Sequence, residues 1–535
     1  MSSPAVSSRL SAPVAALVSL LAVVAAVGVG HLVGELVSSN ASPFPSVGAD
    51  VVDLTPYRIT EFATSTLAPY HKLVLGIGMA VVIGLFGMIA GLLSRRSAIP
   101  GLLLIFGLGL AGALAVLFEF DPNSITRDPN TDAFDLLATL AGVIAGWGAF
   151  LFLRRLARPD RNAEGDAGKV AAGKATGAAE VPRRGLLVGS AAVAVGAVTA
   201  GAGGVFLAGR RDVEASRRAI GPIRPDVPAP GIPAGADFAA DGSPTFITPN
   251  SEFYRVDTVL LTVPQLRAED WRLRIHGMVD RELNLDWADL TSRRLVERTV
   301  TMTCVSNEIG GQYVSTSNFT GVLLADILAE AGVQKGADQL FTTSVDGWTC
   351  GSPTSDVADP GRQAMLAIGM NSEPLPTEHG FPVRMLVPGL YGFVSATKWI
   401  VDMELTTFDA KQAYWLERGW GRRAPIKTMS RIDSPGSFGQ ISPDTPLTGI
   451  AWAQTKGIAK VEVRIDQEPW RLAELSTEVN LDTWRMWRLA GRLQPGPHVA
   501  QVRATDKTGY TQTEDRAAPI PDGASGWHRV AFTVT

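Results

Sequence analysis

Cysteine is almost missing from this chain: Cys304 and Cys350 are the only two in 535 residues. That excludes a disulfide framework, a Cys-x-x-Cys-His haem attachment and a cysteine set for an iron–sulfur cluster. Cys304 and Cys350 could pair only if neither binds metal. Histidine is nearly as scarce, with six residues. A basic excess is lacking too. The net charge is -4 and the pI near 6.0, so no electropositive field exists for nucleic acid and none is expected as a partner. Nor is there an internal repeat.

Apolar length is abundant instead. The mean hydropathy is +0.15, and the excess sits in the first two-fifths of the chain. Five stretches are long enough to cross a bilayer, which takes roughly 20 residues. They run from Pro13 to Val37, Leu73 to Leu93, Ile99 to Phe118, Phe134 to Leu153 and Gly185 to Ala208. The fifth is weaker, being rich in glycine and alanine.

Arginine placement orients them. Arg95 and Arg96 separate the second and third spans, and Arg154, Arg155, Arg158 and Arg161 follow the fourth. The other two loops are acidic (Asp50, Asp53, Glu61; Glu119, Asp121, Asp128, Asp132). The expected N-terminus is therefore cytoplasmic, and everything after about residue 209 is extracytoplasmic. Arg210, Arg211, Arg217 and Arg218 run against this orientation. The run Pro182-Arg183-Arg184-Gly185-Leu186-Leu187 favours it, because it resembles a twin-arginine export signal placed internally. The expected organisation is an anchor at 1–211, with a cytoplasmic linker at 158–181 and the export-like segment at 182–187. A Pro- and Gly-rich extended tether follows at 212–244. Two soluble domains complete it, at 245–424 and 425–535.

In the soluble half, Trp271–Gly277 alternates like a strand, and Thr320–Ala331 has helical period ending at Gly332. Cys304 ends a β-branched run and opens a polar turn, Val305-Ser306-Asn307-Glu308-Ile309-Gly310-Gly311. Two roles fit. A soft thiolate at a strand end can bind a transition metal, and a buried cysteine can be a small apolar side chain. After Lys427 the pattern is all-β: Val461–Ile465, Val499–Val502 and Val530–Val534 alternate between turn-forming residues.

An ordered set of motifs goes further. Thr248-Pro249-Asn250-Ser251-Glu252-Phe253-Tyr254-Arg255 comes first, then the Cys304 run and Asp346-Gly347-Trp348. Glu378-His379-Gly380-Phe381-Pro382-Val383-Arg384, Gly389-Leu390-Tyr391-Gly392-Phe393 with Lys398-Trp399, and Ile426-Lys427-Thr428-Met429-Ser430-Arg431 follow. In this order they resemble the sulfite-oxidase-like family of molybdopterin oxidoreductases, from about Thr245 onward. The resemblance implies a mixed α+β molybdopterin domain and a C-terminal immunoglobulin-like sandwich of the kind that makes dimers in soluble relatives. It implies Cys304 as the one protein ligand of molybdenum. It implies His379, Arg384 and Lys398 as cofactor-holding residues, with Gly392 and Phe393 beside the cofactor phosphate. Asn250, Phe253, Tyr254, Arg255 and Asp346 are further candidates, and Tyr414 and Lys456 are candidates on the substrate side.

The departures bear on substrate. Sulfite oxidases proper carry arginines shortly after the metal cysteine, where this chain has Glu308 and Ile309. An acidic and an apolar residue do not favour a small dianion. Lys456 keeps a positive charge but lacks the guanidinium fork. A sulfoxide or N-oxide is thus favoured over sulfite, with sulfite oxidation the alternative. A non-catalytic binding or adhesion protein on the same scaffold is the alternative of another class. Oxygen transfer also needs a redox partner, a quinone or a cytochrome. His31 and His71 could ligate haem b, but with no second pair they read better as interfacial histidines.

Overall fold

The computed structural model describes residues 9–37, 42–56, 59, 63, 70–121, 124–127, 134–158, 183–210, 213–258 and 263–535. The chain divides into two units: Met1–Arg211 with Val259–Gln265, and Asp212–Thr258 with Leu266–Thr535.

In the first unit, five helices among the described residues are long and apolar enough to cross a membrane: Ala12–Val37, Leu73–Leu93, Ile99–Leu117, Leu136–Leu156 and Arg184–Gly204. They match the five expected spans to within a few residues at their ends. Large apolar side chains such as Leu103, Ile144 and Val188 face outward, more than half exposed, as helices solvated by lipid do. The first helix packs on its neighbours through small residues. A Cβ at Gly91 would lie 2.2 Å from the Ala15 carbonyl oxygen, and one at Gly142 would lie 2.7 Å from that of Ala26. Glycine there lets the backbones touch. His31 Nδ1 lies 3.0 Å from Ser42 Oγ. The linker expected at 158–181 lies outside the described residues beyond Arg158, as do Pro182 and the side chains of Arg183 and His71.

The second unit begins with a helix, Val213–Ile220, where an extended tether was expected. Its period puts Val213 and Ser216 on a buried side, and the following stretch runs against the domain. Ile223 N–H donates to the Ser372 carbonyl, Val227 bridges to Val296, and Ala236 and Phe238 are buried. Prolines and glycines here mark a strap that packs, not a free spacer.

Two five-stranded sheets carry the first part of this unit. In one, Val296–Thr303 pairs with Val314–Leu323, which pairs with Met365–Met370, and Arg384–Leu386 adds to that last strand. In the other, Arg272–Gly277 runs parallel to Ile400–Thr406, with Gln339–Ser344 and Thr349–Pro353 beyond. The alternation of Trp271–Gly277 is borne out: Leu273 and Ile275 are buried between exposed arginines. The helix expected over Thr320–Ala331 is corrected at its start. Thr320–Leu323 ends a strand, paired as Thr320↔Gly369 and Leu323↔Met365, and the helix is Leu324–Ala331. Both faces of that strand are buried, so its apolar run does not alternate. The helix ends as expected at Gly332, with φ +71°.

The C-terminal part is all-β. A four-stranded sheet (Met429–Ser434, Leu447–Trp452, Arg485–Leu489, Glu474–Leu475) accompanies a five-stranded one containing Ile458–Ile465, Gly496–Asp506 and His528–Val534. Val461, Val463, Trp487, Val502 and Phe532 fill its core.

Candidate active site

Cys304 follows the strand Val296–Thr303 directly. Its N–H donates to the Tyr313 carbonyl at 3.0 Å, and its own carbonyl accepts from Asn307 N–H at 3.1 Å. Asn307 Oδ1 accepts from Tyr313 N–H at 2.8 Å, closing the turn that the polar run announced. The thiol is 9% exposed. Burial pushes its pKa up, opposed by hydrogen bonds from Ser306 and Val305. Cys304 and Cys350 are both free and buried. Burial pushes the Cys350 thiol up to about 11, an inert thiol.

A set of side chains from distant segments gathers here. The Phe253 ring meets His379 edge-on at 5.4 Å and Phe319 at 6.0 Å, and stacks on Tyr254 at 5.4 Å. Tyr254 is half-buried; desolvation and the nearby Cys304 raise its pKa against the pull of Arg384, so its phenol stays protonated. His379 is held near pKa 3 by burial and by Arg384 and Lys398, against a hydrogen bond to the Asn250 backbone. It is neutral at any working pH. Asn250 Nδ2 donates to the Met370 carbonyl at 3.2 Å, fixing that segment.

Three cations share this region. Arg384 is fully enclosed, its pKa lowered to about 10 by burial. Its Nη1 donates to the His379 carbonyl at 3.3 Å, while its Nε is buried without a partner among the described residues. Lys398, lowered to about 8 by burial against the pull of Asp257, bonds Asp257 Oδ2 at 3.2 Å and the Glu378 carbonyl at 3.1 Å. Arg255 Nε lies 2.7 Å from the same Asp257 oxygen. Asp346 is half-buried and desolvation pushes its carboxyl up, with Ser344, Trp348 and Lys398 pulling the other way. The turn Gly392–Val394 leads into the segment that pairs with Arg384–Leu386, through Met385 N–H to the Thr397 carbonyl at 2.8 Å. The Phe393 ring faces Trp420 at 5.6 Å.

Such a set suits an anionic, polar, ring-bearing group. A buried guanidinium with an orphaned donor, beside two further cations that share one carboxylate, lacks negative charge. A phosphate-bearing pterin supplies it. The fit is therefore good.

Tyr414 stands elsewhere: its N–H donates to Thr349 Oγ1 and the Arg418 guanidinium lies 3.6 Å over its ring. Lys456 faces Asp506, 3.7 Å away. Sequence reading missed Asp257 and Tyr391. Tyr391 is buried, accepts from Lys427 N–H at 3.3 Å, and has its pKa raised by burial and, further down, by Asp522 and Cys304. It lay inside a quoted motif, which was the one signal available. Also unforeseen, the cysteine turn rests on the C-terminal sheets. Arg431 Nη1 donates to the Gly311 carbonyl at 2.8 Å, and Gln454 Nε2 donates to the Thr301 carbonyl at 3.0 Å.

A buried thiol at a strand end near a cationic, aromatic cluster suits a cofactor-dependent redox enzyme. The oxidoreductase molybdopterin-binding domain family matches residues 260–415. Mitochondrial sulfite oxidase of Homo sapiens is 28% identical over 345 residues, 54% of this chain and 62% of that protein. An uncharacterised oxidoreductase of Bacillus subtilis, YuiH, is 31% identical over 153 residues, 29% of this chain and 73% of that protein. Among solved structures, the sulfane dehydrogenase SoxCD from Paracoccus pantotrophus gives a TM-score of 0.47 at 23% identity, over 57% of this chain and 88% of that one. The chain spans less than two thirds of the sulfite oxidase it matches. It belongs to the sulfite-oxidase-like molybdopterin oxidoreductases. It is a molybdenum-dependent enzyme with molybdopterin as cofactor, which sets aside the non-catalytic alternative.

Proposed function

We propose that this chain is a membrane-anchored, extracytoplasmic oxidoreductase that transfers an oxygen atom to or from a small neutral substrate, a sulfoxide or N-oxide. The single observation carrying this is the gathering of His379, Arg384 and Lys398 with Tyr254, which neighbours the buried Cys304, with Arg384 Nε lacking a partner among the described residues. Cys304 would hold molybdenum as thiolate, and Arg384, Lys398, Arg255 and the Gly392–Phe393 turn would hold the pterin and its phosphate. When bound, the molybdenum–pterin group supplies the oxygen-atom transfer and its two-electron change. Neutral His379 and Phe253 wall the pocket. Tyr254 Oη keeps its proton and offers it as a donor toward a substrate oxygen.

Charge on the substrate side supports a neutral substrate. Glu308 is exposed and Ile309 half-buried. Arg431 is spent on Asp433 Oδ1 at 2.6 Å and the Gly311 carbonyl, and Lys456 faces Asp506. Sulfite oxidation is the second reading, favoured by the likeness to sulfite oxidases. Tyr414 remains a proposed substrate-side residue. A quinone or cytochrome is the proposed redox partner, and the C-terminal sandwich a dimer surface.

Purified, molybdenum-loaded protein should turn over methionine sulfoxide or trimethylamine N-oxide with a reduced dye, and fail to oxidise sulfite. Sulfite turnover without oxide turnover would reverse the substrate assignment. The orientation has its own test. A domain loaded with cofactor in the cytoplasm must cross folded, so Arg183→Lys with Arg184→Lys should keep a reporter after Ala208 inside. A reporter outside at wild-type level would remove the internal export signal from the account.

A further inference from the structure

A second cleft lies in the catalytic unit, away from the residues assigned to the cofactor. Its volume is about 530 Å³, inside the roughly 300–1,000 Å³ range of small-molecule sites. Ile220, Ile223, Leu295 and Trp287 give it apolar walls, and Ser216 and Arg224 line it with polar groups. Arg224 is exposed. Ser216 Oγ is held by Glu269 Oε2 at 2.6 Å and by Ala268 N–H at 3.1 Å.

Two features say what fits there. The first is covalent. The helix Val213–Ile220, which forms one side of the cleft, starts three residues after Arg210, the last residue of the fifth apolar helix. The second is the wiring of that short helix to the cofactor pocket. Thr377 Oγ1 donates to Glu214 Oε1 at 2.8 Å, and Thr377 opens the turn Thr377–His379. Arg217 Nε donates to the Leu375 carbonyl at 2.9 Å.

We infer that this cleft binds a membrane quinone, its ring against Trp287 and a carbonyl oxygen toward Arg224. The inference rests on the membrane-anchored reading above. The chemistry closes. A quinol becomes a quinone by giving up two electrons and two protons, and an oxide X=O takes up both to become X and water.

The test uses the full chain in detergent micelles, with menadione as probe and calorimetry as readout. Molybdenum content is measured in parallel, so that a failed cofactor site is told apart from a failed quinone site. Wild type should bind menadione saturably at one per chain. Arg224→Glu, at the rim, and Ile220→Trp, which fills the cleft, should each weaken binding at least about tenfold, a 1.4 kcal/mol change, with molybdenum content unchanged. Molybdenum-loaded wild type that does not bind menadione overturns the inference. So does equal binding by both variants, or a cleft that takes up a short-chain phospholipid and not the quinone.

Discussion

Arg384→Met should make the cofactor-free protein more stable and the loaded protein worse. The fall of the guanidinium pKa from the usual 12.5 to about 10 comes mainly from burial, and corresponds to about 3 kcal/mol against the charged form. Methionine is close in volume and removes that burden. It also removes the 3.3 Å bond to the His379 carbonyl, worth about 1 kcal/mol. The net is about 2 kcal/mol in favour of the cofactor-free variant, or roughly 4 °C in its melting midpoint. With cofactor the sign reverses. A charge-assisted bond contributes about 1.5–3 kcal/mol, so retention should fall about 10- to 150-fold. The assay is thermal unfolding of the full chain in detergent, made in cells with and without molybdopterin synthesis, plus molybdenum per chain. A variant that melts lower without cofactor and keeps its molybdenum would refute the reasoning: Arg384 would then be an ordinary structural residue.

Two further outcomes follow from the contact between the cysteine turn and the C-terminal sheets. Gly310→Ala should cost about 3 kcal/mol, because Gly310 has φ +78° and an added Cβ would meet His528 Nε2 at 2.3 Å. His528→Ala should partly rescue it in denaturant titrations. His528 is held near pKa 4 by burial and by Arg431 and Arg516, below its usual 6.5, so the unfolded chain takes up the proton first. The His528 contribution, about 3 kcal/mol, is present above pH 6.5 and lost as pH falls toward 4. His528→Gln should flatten the stability profile in that window, and an unchanged profile would contradict the assignment.

What the sequence showed depended on distance along the chain. Local signals were legible: the five apolar stretches, the alternation before Gly277, the stop at Gly332, and the strands around Val463 and Val502. Thr320–Leu323 was misread because a strand buried on both faces shows no period of two. The stretch after Arg211 was misread because prolines mark both free and packed extended chain. Asp257 pairs locally with Arg255, but its second partner, Lys398, lies 141 residues on and gives no local signal. The same holds for Arg431 against Gly311, 120 residues apart. Ordered motifs, not periodicity, brought His379, Arg384 and Lys398 forward as candidates, and the structure sets the three side by side. They did less for Tyr414, whose surroundings lack a motif.

The central claim is that Cys304 supplies a sulfur to molybdenum, and X-ray absorption at the molybdenum edge tests it most directly. Cys304→Ser preserves size and the turn bonds to Tyr313 and Asn307, which are backbone bonds at residue 304. The account predicts one sulfur neighbour fewer around the metal in the variant, with turnover lost and the fold retained. An unchanged sulfur shell in molybdenum-loaded Cys304→Ser would contradict it.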